Sequence, residues 1–461
     1  MASSPKEQLF ERTSIPKAVA TLAIPTVISQ LVMMLYNLAD TFWVGMLNNP
    51  LQNAAVTLTA PALMAFNAIT NLFGTGSASL MSRALGRKDY DVVSRTSVFG
   101  FYCASVLAVV YALFCIIFRV PLLGLLGADE ATFAGANEYL IWAVIVNALP
   151  AVINVTFAHF VRAEGSAAHA SIGTMCGCVL NIILDPIFIL PWGLNMGAAG
   201  AGLATFLSNC VACLYFAVFL IRKKGKTFVS VDPRKFAFRK DIIGEVFNVG
   251  IPSALQNLFS VTGMTVLNNF TASYGADAVA AMGICQKVYM VPMYITLGVS
   301  QGATPLIGYN YASGDAPRVK KAISFTRIVN LVIIVFTALL YFIFPAFFVS
   351  LFINNQTIID HGVKILRGFA IGLPLMSLDF FSVSVFQATG KGKAALIFAV
   401  LRKIVLEIPL LFLMNRLFPL YGLPYAQVIT EFILAVVSTV VLIRFYKELD
   451  RQYKQYKPLN R

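Results

Sequence analysis

Charged side chains are what this sequence has least of. Of 461 residues only 12% are Asp, Glu, Lys or Arg, about half the roughly 25% of an average soluble domain, while 58% are hydrophobic. A chain built mainly of water-soluble domains is thereby excluded, and a mean hydropathy of +0.77 agrees. There are only three histidines (159, 169, 361) and seven cysteines (103, 115, 176, 178, 210, 213, 285), the latter all inside apolar runs. Cys210 and Cys213 spell CxxC, yet no second pair or His lies nearby, so small core thiols fit better than a metal or redox site. No GxxxxGK[ST] phosphate loop occurs, which argues against ATP as the energy source. No nucleophile and base share one depth in the apolar runs, so an enzyme is not expected. The first 16 residues lack a signal-peptide pattern, leaving the first membrane helix to serve as the signal.

What the chain does have is long apolar runs. They are continuous for about 20 residues or more, where barrel strands would alternate over about 10, and lipid tolerates only helices and closed barrels. The fold class expected is all-α and polytopic, with twelve transmembrane helices at roughly 17–43, 54–80, 93–118, 136–160, 168–191, 198–221, 242–271, 278–306, 322–348, 365–389, 394–418 and 424–446. The formal net charge of +14 raises nucleic acid as a partner, but Lys and Arg fall almost wholly between the apolar runs. With the N-terminus inside, 30 of the 35 lie in inner segments, four of them in 388–403. That bias is the positive-inside rule at work; it predicts a multi-pass protein of the plasma (inner) membrane, both termini cytoplasmic, with no nucleic-acid role. Nothing calls for a partner chain, and a monomer surrounded by membrane lipid is expected.

The largest polar stretch, 222–241, divides the chain into two six-helix halves. The domains expected are a cytoplasmic N-terminal segment (1–16), an N-lobe (17–221), a basic cytoplasmic linker (222–241), a C-lobe (242–446) and a basic tail (447–461). The halves share a pattern. Ile24-Pro25 recurs as Ile251-Pro252 (offset 227), and Gly76, Leu80 and Asp89 recur as Gly302, Leu306 and Asp315 (offset 226). Leu149-Pro150 recurs as Leu373-Pro374 (offset 224) and Ala163-x-Gly165 as Ala388-x-Gly390 (offset 225). An even number of spans per half makes these parallel, pseudo-symmetric repeats, an arrangement found in transporters.

Ionisable groups at membrane depth are costly unless paired or facing water, so each is a functional candidate. Five acids fall well inside spans: Asp40, Asp185, Asp379, Glu407 and Glu431. Asp40 and Asp185 sit at similar depth in the outer half, each with amide or phenol neighbours on its own helix face: Tyr36 and Asn37 for the first, Asn181 for the second. They read either as a switchable proton or cation site, or as satisfied helix-end groups near the outer interface. By the repeat, Asp379 corresponds to Asn154, and Glu407 falls near the counterpart of Asp185. Lys287 is read as a counter-charge for one of these acids, whereas Glu431 has no nameable partner and is read as structural. Pro25 and several other intraspan prolines free backbone carbonyls that a moving bundle can use as hinges. Met33, Met64, Tyr36, Asn37 and Tyr289, with Lys287, would suit a broad-specificity cavity for organic cations, or else plain packing.

The run IPTVISQLVMMLYNLADTFWVG in the first helix, LMSRALGRKD, RAEGSA, LNIILDPIFI, GIPSALQN, PLIGYNYASGD and FQATGKGK occur in that order. Together they resemble multidrug and toxic compound extrusion (MATE) transporters over about residues 15 to 445, and most of all the DinF-like, MepA-type branch. The resemblance implies two six-helix lobes and drug efflux driven by inward H+ or Na+ flow. It also implies a coupling site on Asp40, Asn181 and Asp185, where Na+ could be held, with Asn154 and Thr205 as further polar positions and Pro25 as the bending point. NorM-like relatives add a tenth-helix aspartate, matched by Asp379, but pair it with a seventh-helix glutamate where this chain has Ser260. The function expected is a secondary active antiporter exporting amphipathic, often cationic compounds in exchange for H+ or Na+, without a cofactor. The alternative is a MATE-like flippase for a lipid-linked precursor.

The charge bias makes a topological prediction. In a cysteine-free background, Asn49→Cys reacts with an impermeant maleimide in intact cells, whereas Ser230→Cys reacts only after permeabilisation; the reverse pattern overturns the orientation.

Overall fold

The structure, a computed structural model, describes residues 5–456, so residues 1–4 of the N-terminal segment and 457–461 of the basic tail lie outside the described residues. Among the described residues there are helices and turns but no strand. All twelve expected spans have a helical counterpart. Among the described residues nine helices are long and apolar enough to cross a membrane, or ten when the pair Phe133–Val146 and Ala148–Ala163, bent by 45°, is taken as one span. The two remaining stretches are more polar. The seventh span, Lys240–Ala272, carries Asn248, Gln256, Asn257, Asn268 and Asn269. The eleventh is assembled from Gly392–Val400, a π-helical Leu401–Glu407 and Ile408–Leu417, and holds Arg402, Lys403, Glu407 and Arg416.

Lipid exposure can be read from the outer faces. In the third span (Tyr90–Ile117) Val106, Val110, Leu113 and Ile117 are exposed, and in the ninth (Ala316–Ile343) Ile328, Val332, Phe336, Leu339 and Ile343 are. Apolar stripes at a spacing of three to four residues, facing out, suit a hydrocarbon solvent.

The chain forms two compact units. One, the N-unit, runs from Ile28 to Ala254; the other, the C-unit, joins the chain up to Val27 with the chain from Leu255 onward. The boundaries fall in mid-helix, just past Pro25 in the first span (Ile15–Gly45) and just past Pro252 in the seventh. Each unit thus includes the opening half of a helix whose remainder lies in the other.

Glycines at the repeated positions make this possible. A Cβ on Gly302 would stand 2.5 Å from the Cα of Ala23, and one on Gly298 2.6 Å from the Cα of Val27, both in the first span. In the N-unit, a Cβ on Gly76 would stand 2.3 Å from the carbonyl oxygen of Val246 in the seventh. Gly76 and Gly302 are one repeat pair, each allowing a helix backbone to approach closely. The other repeated residues end or begin helices. Asp89 and Asp315 are N-caps, accepting from Val92 N (3.1 Å) and Arg318 N (3.0 Å). Gly165 (φ +88°) and Gly390 (φ +74°) take the left-handed conformation after the fourth and tenth spans. There Ser166 N donates to Val161 O (3.1 Å) and Lys391 N to Phe386 O (2.8 Å), closing Schellman turns.

The linker is docked along the N-unit. Phe228 N and Thr227 Oγ1 donate to Glu164 Oε2 (3.0 and 2.8 Å), Ser230 N to Ser97 Oγ (3.0 Å), and Tyr102 Oη to Val231 O (3.0 Å).

These contacts grade two substitutions. Asp315→Ala removes one cap, about 1 kcal/mol, whereas Gly302→Val forces a side chain into the Ala23 backbone. Thermal unfolding in detergent should show a small downward shift for the first and a much larger loss for the second.

Candidate functional site

In the N-unit, helical periodicity brings the site together. Tyr36 and Asp40, four residues apart, share a face of the first span; Asn181 and Asp185 share a face of the fifth (Ala167–Ile189). Asp185 and Asn181 are fully buried and Asp40 is half-buried. In the amide orientation that satisfies both its neighbours, Asn181 donates to Asp185 Oδ2 (3.0 Å) and accepts from Thr205 Oγ1 (3.2 Å) and Thr205 N (3.0 Å). The Thr205 hydroxyl also lies 3.0 Å from Ala201 O and has one proton to give to one of them at a time. Asp40, Asp185, Tyr36 and Tyr139 lie within electrostatic reach of one another.

Two features of this cluster matter chemically. Asp40 Oδ1 has no hydrogen-bond partner, and among the described residues no Lys, Arg or His forms an ion pair with Asp40 or Asp185. Two carboxylates within electrostatic reach of each other in a low dielectric can both carry charge only at high cost, and a proton or a cation relieves it.

Other candidate residues make hydrogen bonds of their own. Asn154 donates to Asn209 Oδ1 (3.0 Å), and Asn209 donates to Asn147 Oδ1 (3.0 Å), forming an amide chain of their own. Asn37 Nδ2 turns back to Met33 O (2.9 Å). Met33 and Met64 are half-buried. Pro25 sits inside an unbroken helix; it has no N–H, so the Thr21 carbonyl loses its helical partner, while Thr26 Oγ1 bonds Leu22 O (2.8 Å).

The C-unit holds a second cluster, and it corrects four expectations. Arg402, read as a charge on the cytoplasmic side, lies buried in the middle of the eleventh span and pairs with Asp379 of the tenth (Gln356–Ala388) and Glu431 of the twelfth (Gly422–Tyr456). Glu431 therefore has a partner, Arg402 Nη1 at 3.3 Å. Lys287, expected to be the counter-charge, is exposed and pairs with no acid among the described residues. Lys403, also counted as cytoplasmic, donates to both oxygens of Glu407 (2.7 and 2.6 Å). Gly263 makes room for that pair, since a Cβ there would stand 2.8 Å from Glu407 Oε1. Ser260 is exposed and donates to Gln256 O of its own helix (2.9 Å). Tyr289 Oη accepts from Gln427 Nε2 (2.7 Å) and contacts Met376 Sδ (2.8 Å).

The sequence hides Arg402 for a geometric reason. Five residues separate it from Glu407, which places them on well-separated faces of an α-helix. The π-helical turn at Leu401–Glu407, bonded i to i+5, brings such a pair toward one face, and both are buried.

Comparison with known proteins follows from this geometry. The MatE family model matches residues 25–187 and again 252–413, the two matches beginning at the paired prolines. The chain is 33% identical over 439 residues to the multidrug export protein MepA of Staphylococcus aureus (strain MRSA252), covering 95% of this chain and 96% of that one. It is similar to the crystal structure of MATE in the straight conformation (TM-score 0.91, 27% identity, 97% of this chain and 100% of that chain). The crystal structure of MATE in the bent conformation gives a TM-score of 0.89 at 26% identity, over 98% and 100%.

Asn181 is the structural keystone of the N-unit cluster. Asn181→Ala removes the hydrogen bond to buried Asp185, while Thr205 keeps Ala201 O, and should cost about 1–3 kcal/mol, read as a lowered unfolding midpoint in detergent.

Proposed function

The chain belongs to the MatE family, in its MepA-type branch, and is a multi-pass membrane transporter rather than an enzyme; on that premise we propose that it is a secondary active multidrug efflux antiporter. It exports amphipathic, often cationic organic compounds in exchange for H+ or Na+, with both termini in the cytoplasm of the cell it protects.

One observation carries the coupling assignment: the carboxylates of Asp40 and Asp185 lie within electrostatic reach of each other in the N-unit, and among the described residues no basic residue pairs with either. A hard cation such as sodium is held by several oxygens, and the cluster offers two carboxylates, the Asn181 amide, Thr205 and the tyrosine hydroxyls. A proton needs only one carboxylate. The same pair therefore serves either ion, and the two compete, with H+ the preferred driver. Coupling requires states of different affinity. Loading the pair from outside alters the first span, where Pro25 has already removed one helical hydrogen bond, and lowers affinity for the exported compound. Discharge inside resets it. The existence of MATE structures in straight and bent conformations supports a two-state cycle of this kind.

Substrate contacts are assigned to Tyr36, Asn37, Met33 and Met64 in the N-unit and Tyr289 in the C-unit. Polarisable Met side chains repack around varied ligands, and aromatic faces attract cations. The transporter works as a monomer and without a cofactor.

The test is efflux from proteoliposomes with the Na+ and pH gradients imposed separately. Wild type should respond to the pH gradient, with external Na+ partly substituting for it. Asp40→Asn and Asp185→Asn should each reduce coupled efflux at least tenfold at normal expression, since an amide keeps the shape but cannot exchange charge. Strict dependence on Na+ at every pH gradient would overturn the H+ preference, and full activity in either Asn variant would overturn the site.

A further inference from the structure

The two units meet the same electrostatic demand in opposite ways. In the N-unit, Asp40 and Asp185 pair with no base among the described residues. In the C-unit, Asp379 (0% exposed) and Glu431 (1%) are bridged by the guanidinium of Arg402 (5%), which also lies 4.0 Å from the Phe380 ring centroid.

We propose that Arg402 is a tethered counter-cation: its guanidinium occupies a monovalent-cation site formed by Asp379 and Glu431, so that the native C-unit takes up no exchangeable ion. The geometry supports a cation site rather than a simple ion pair. The carboxylates come from different spans, the tenth and the twelfth, and converge on one positive group from the eleventh. One oxygen of Glu431, Oε2, is buried with no hydrogen-bond partner, and Asp379 likewise accepts no hydrogen bond beyond its ion pair. Tyr289, its hydroxyl held by Gln427, lies within electrostatic reach of Glu431 and Arg402. The remaining charged groups around the cluster, Glu407 and Lys403, satisfy each other.

A buried ion triad seldom stabilises a fold more than apolar side chains of the same volume would. Here it is reached through a π-helical turn, a departure from regular helix that Leu401–Glu407 adopts around Arg402. What the triad supplies is a positive charge that cannot dissociate. Removing the guanidinium therefore unmasks a vacant cation site, and a small free cation should enter it.

The experiment uses the full-length protein carrying Asp40→Asn and Asp185→Asn, so that the outcome does not depend on the antiport reading. Unfolding midpoints are measured in detergent with choline chloride replaced by NaCl, and with tens of millimolar guanidinium chloride, at constant ionic strength. Adding Arg402→Ala should create a rise of several degrees with Na+ or guanidinium that the parent lacks. Adding Asp379→Asn and Glu431→Gln as well should abolish it. If Arg402→Ala folds and its midpoint ignores both cations, the proposal is overturned. If Arg402→Ala fails to fold without added cation, recovery of folding in tens of millimolar guanidinium chloride supports the proposal; no recovery there, whether or not the Arg402→Ala/Asp379→Asn/Glu431→Gln combination folds, overturns it.

Discussion

A carboxylate withdrawn from water needs a positive charge beside it or a proton on it, and much of this molecule is arranged around that requirement. Five acids lie at membrane depth. Glu407 has Lys403 four residues away on its own helix, and Asp379 and Glu431 share Arg402. Among the described residues, Asp40 and Asp185 are the two of these five that pair with no basic side chain. The distribution of basic residues thus separates acids with a fixed counter-charge from a pair without one.

The helical framework that holds these groups depends on close backbone approach. Gly298 and Gly302 admit the opening half of the first span to the C-unit, and Gly76 admits that of the seventh to the N-unit. Both spans contain a proline just before the point at which they pass from one unit to the other. Helix continuity and loss of one backbone hydrogen bond therefore coincide in the first span, a few turns before Asp40 on the same helix. Under the proposed coupling, bending at Pro25 and the charge state of Asp40 would act on the same helix.

The fold was legible because its determinants are local. Twelve apolar runs, a basic linker and repeated Gly, Asp and Pro residues translate directly into spans, close contacts, caps and turns. The repeat is conspicuous because it consists of residues that shape the backbone, which both halves need alike. The N-unit cluster was legible as well, since Tyr36 with Asp40 and Asn181 with Asp185 are each four residues apart on a regular helix. The C-unit cluster was not. Arg402 and Lys403 stand near Lys391 and Lys393 in sequence and read with them as cytoplasmic charges, and the five-residue spacing from Arg402 to Glu407 carries no helical signal. Only a π-helical turn gives that spacing meaning, and nothing in Leu401–Glu407 announces one. Tyr139 and Asn209 were missed because their roles depend on contacts between helices distant in sequence.

The assignment of the chain up to Val27 to the C-unit also sets an order of events during biosynthesis. The backbone of Ala23 packs against Gly302, which emerges from the ribosome some 280 residues later. At about 5–20 residues per second, that interval is roughly 15–60 s. Throughout it, the opening half of the first span lacks its eventual neighbours and must be sheltered by lipid, the insertion machinery or provisional contacts with the nascent N-unit. The last tertiary contact made by one of the first helices synthesised thus waits on the second half of the chain, and truncated nascent chains are left with an unfinished unit at both ends.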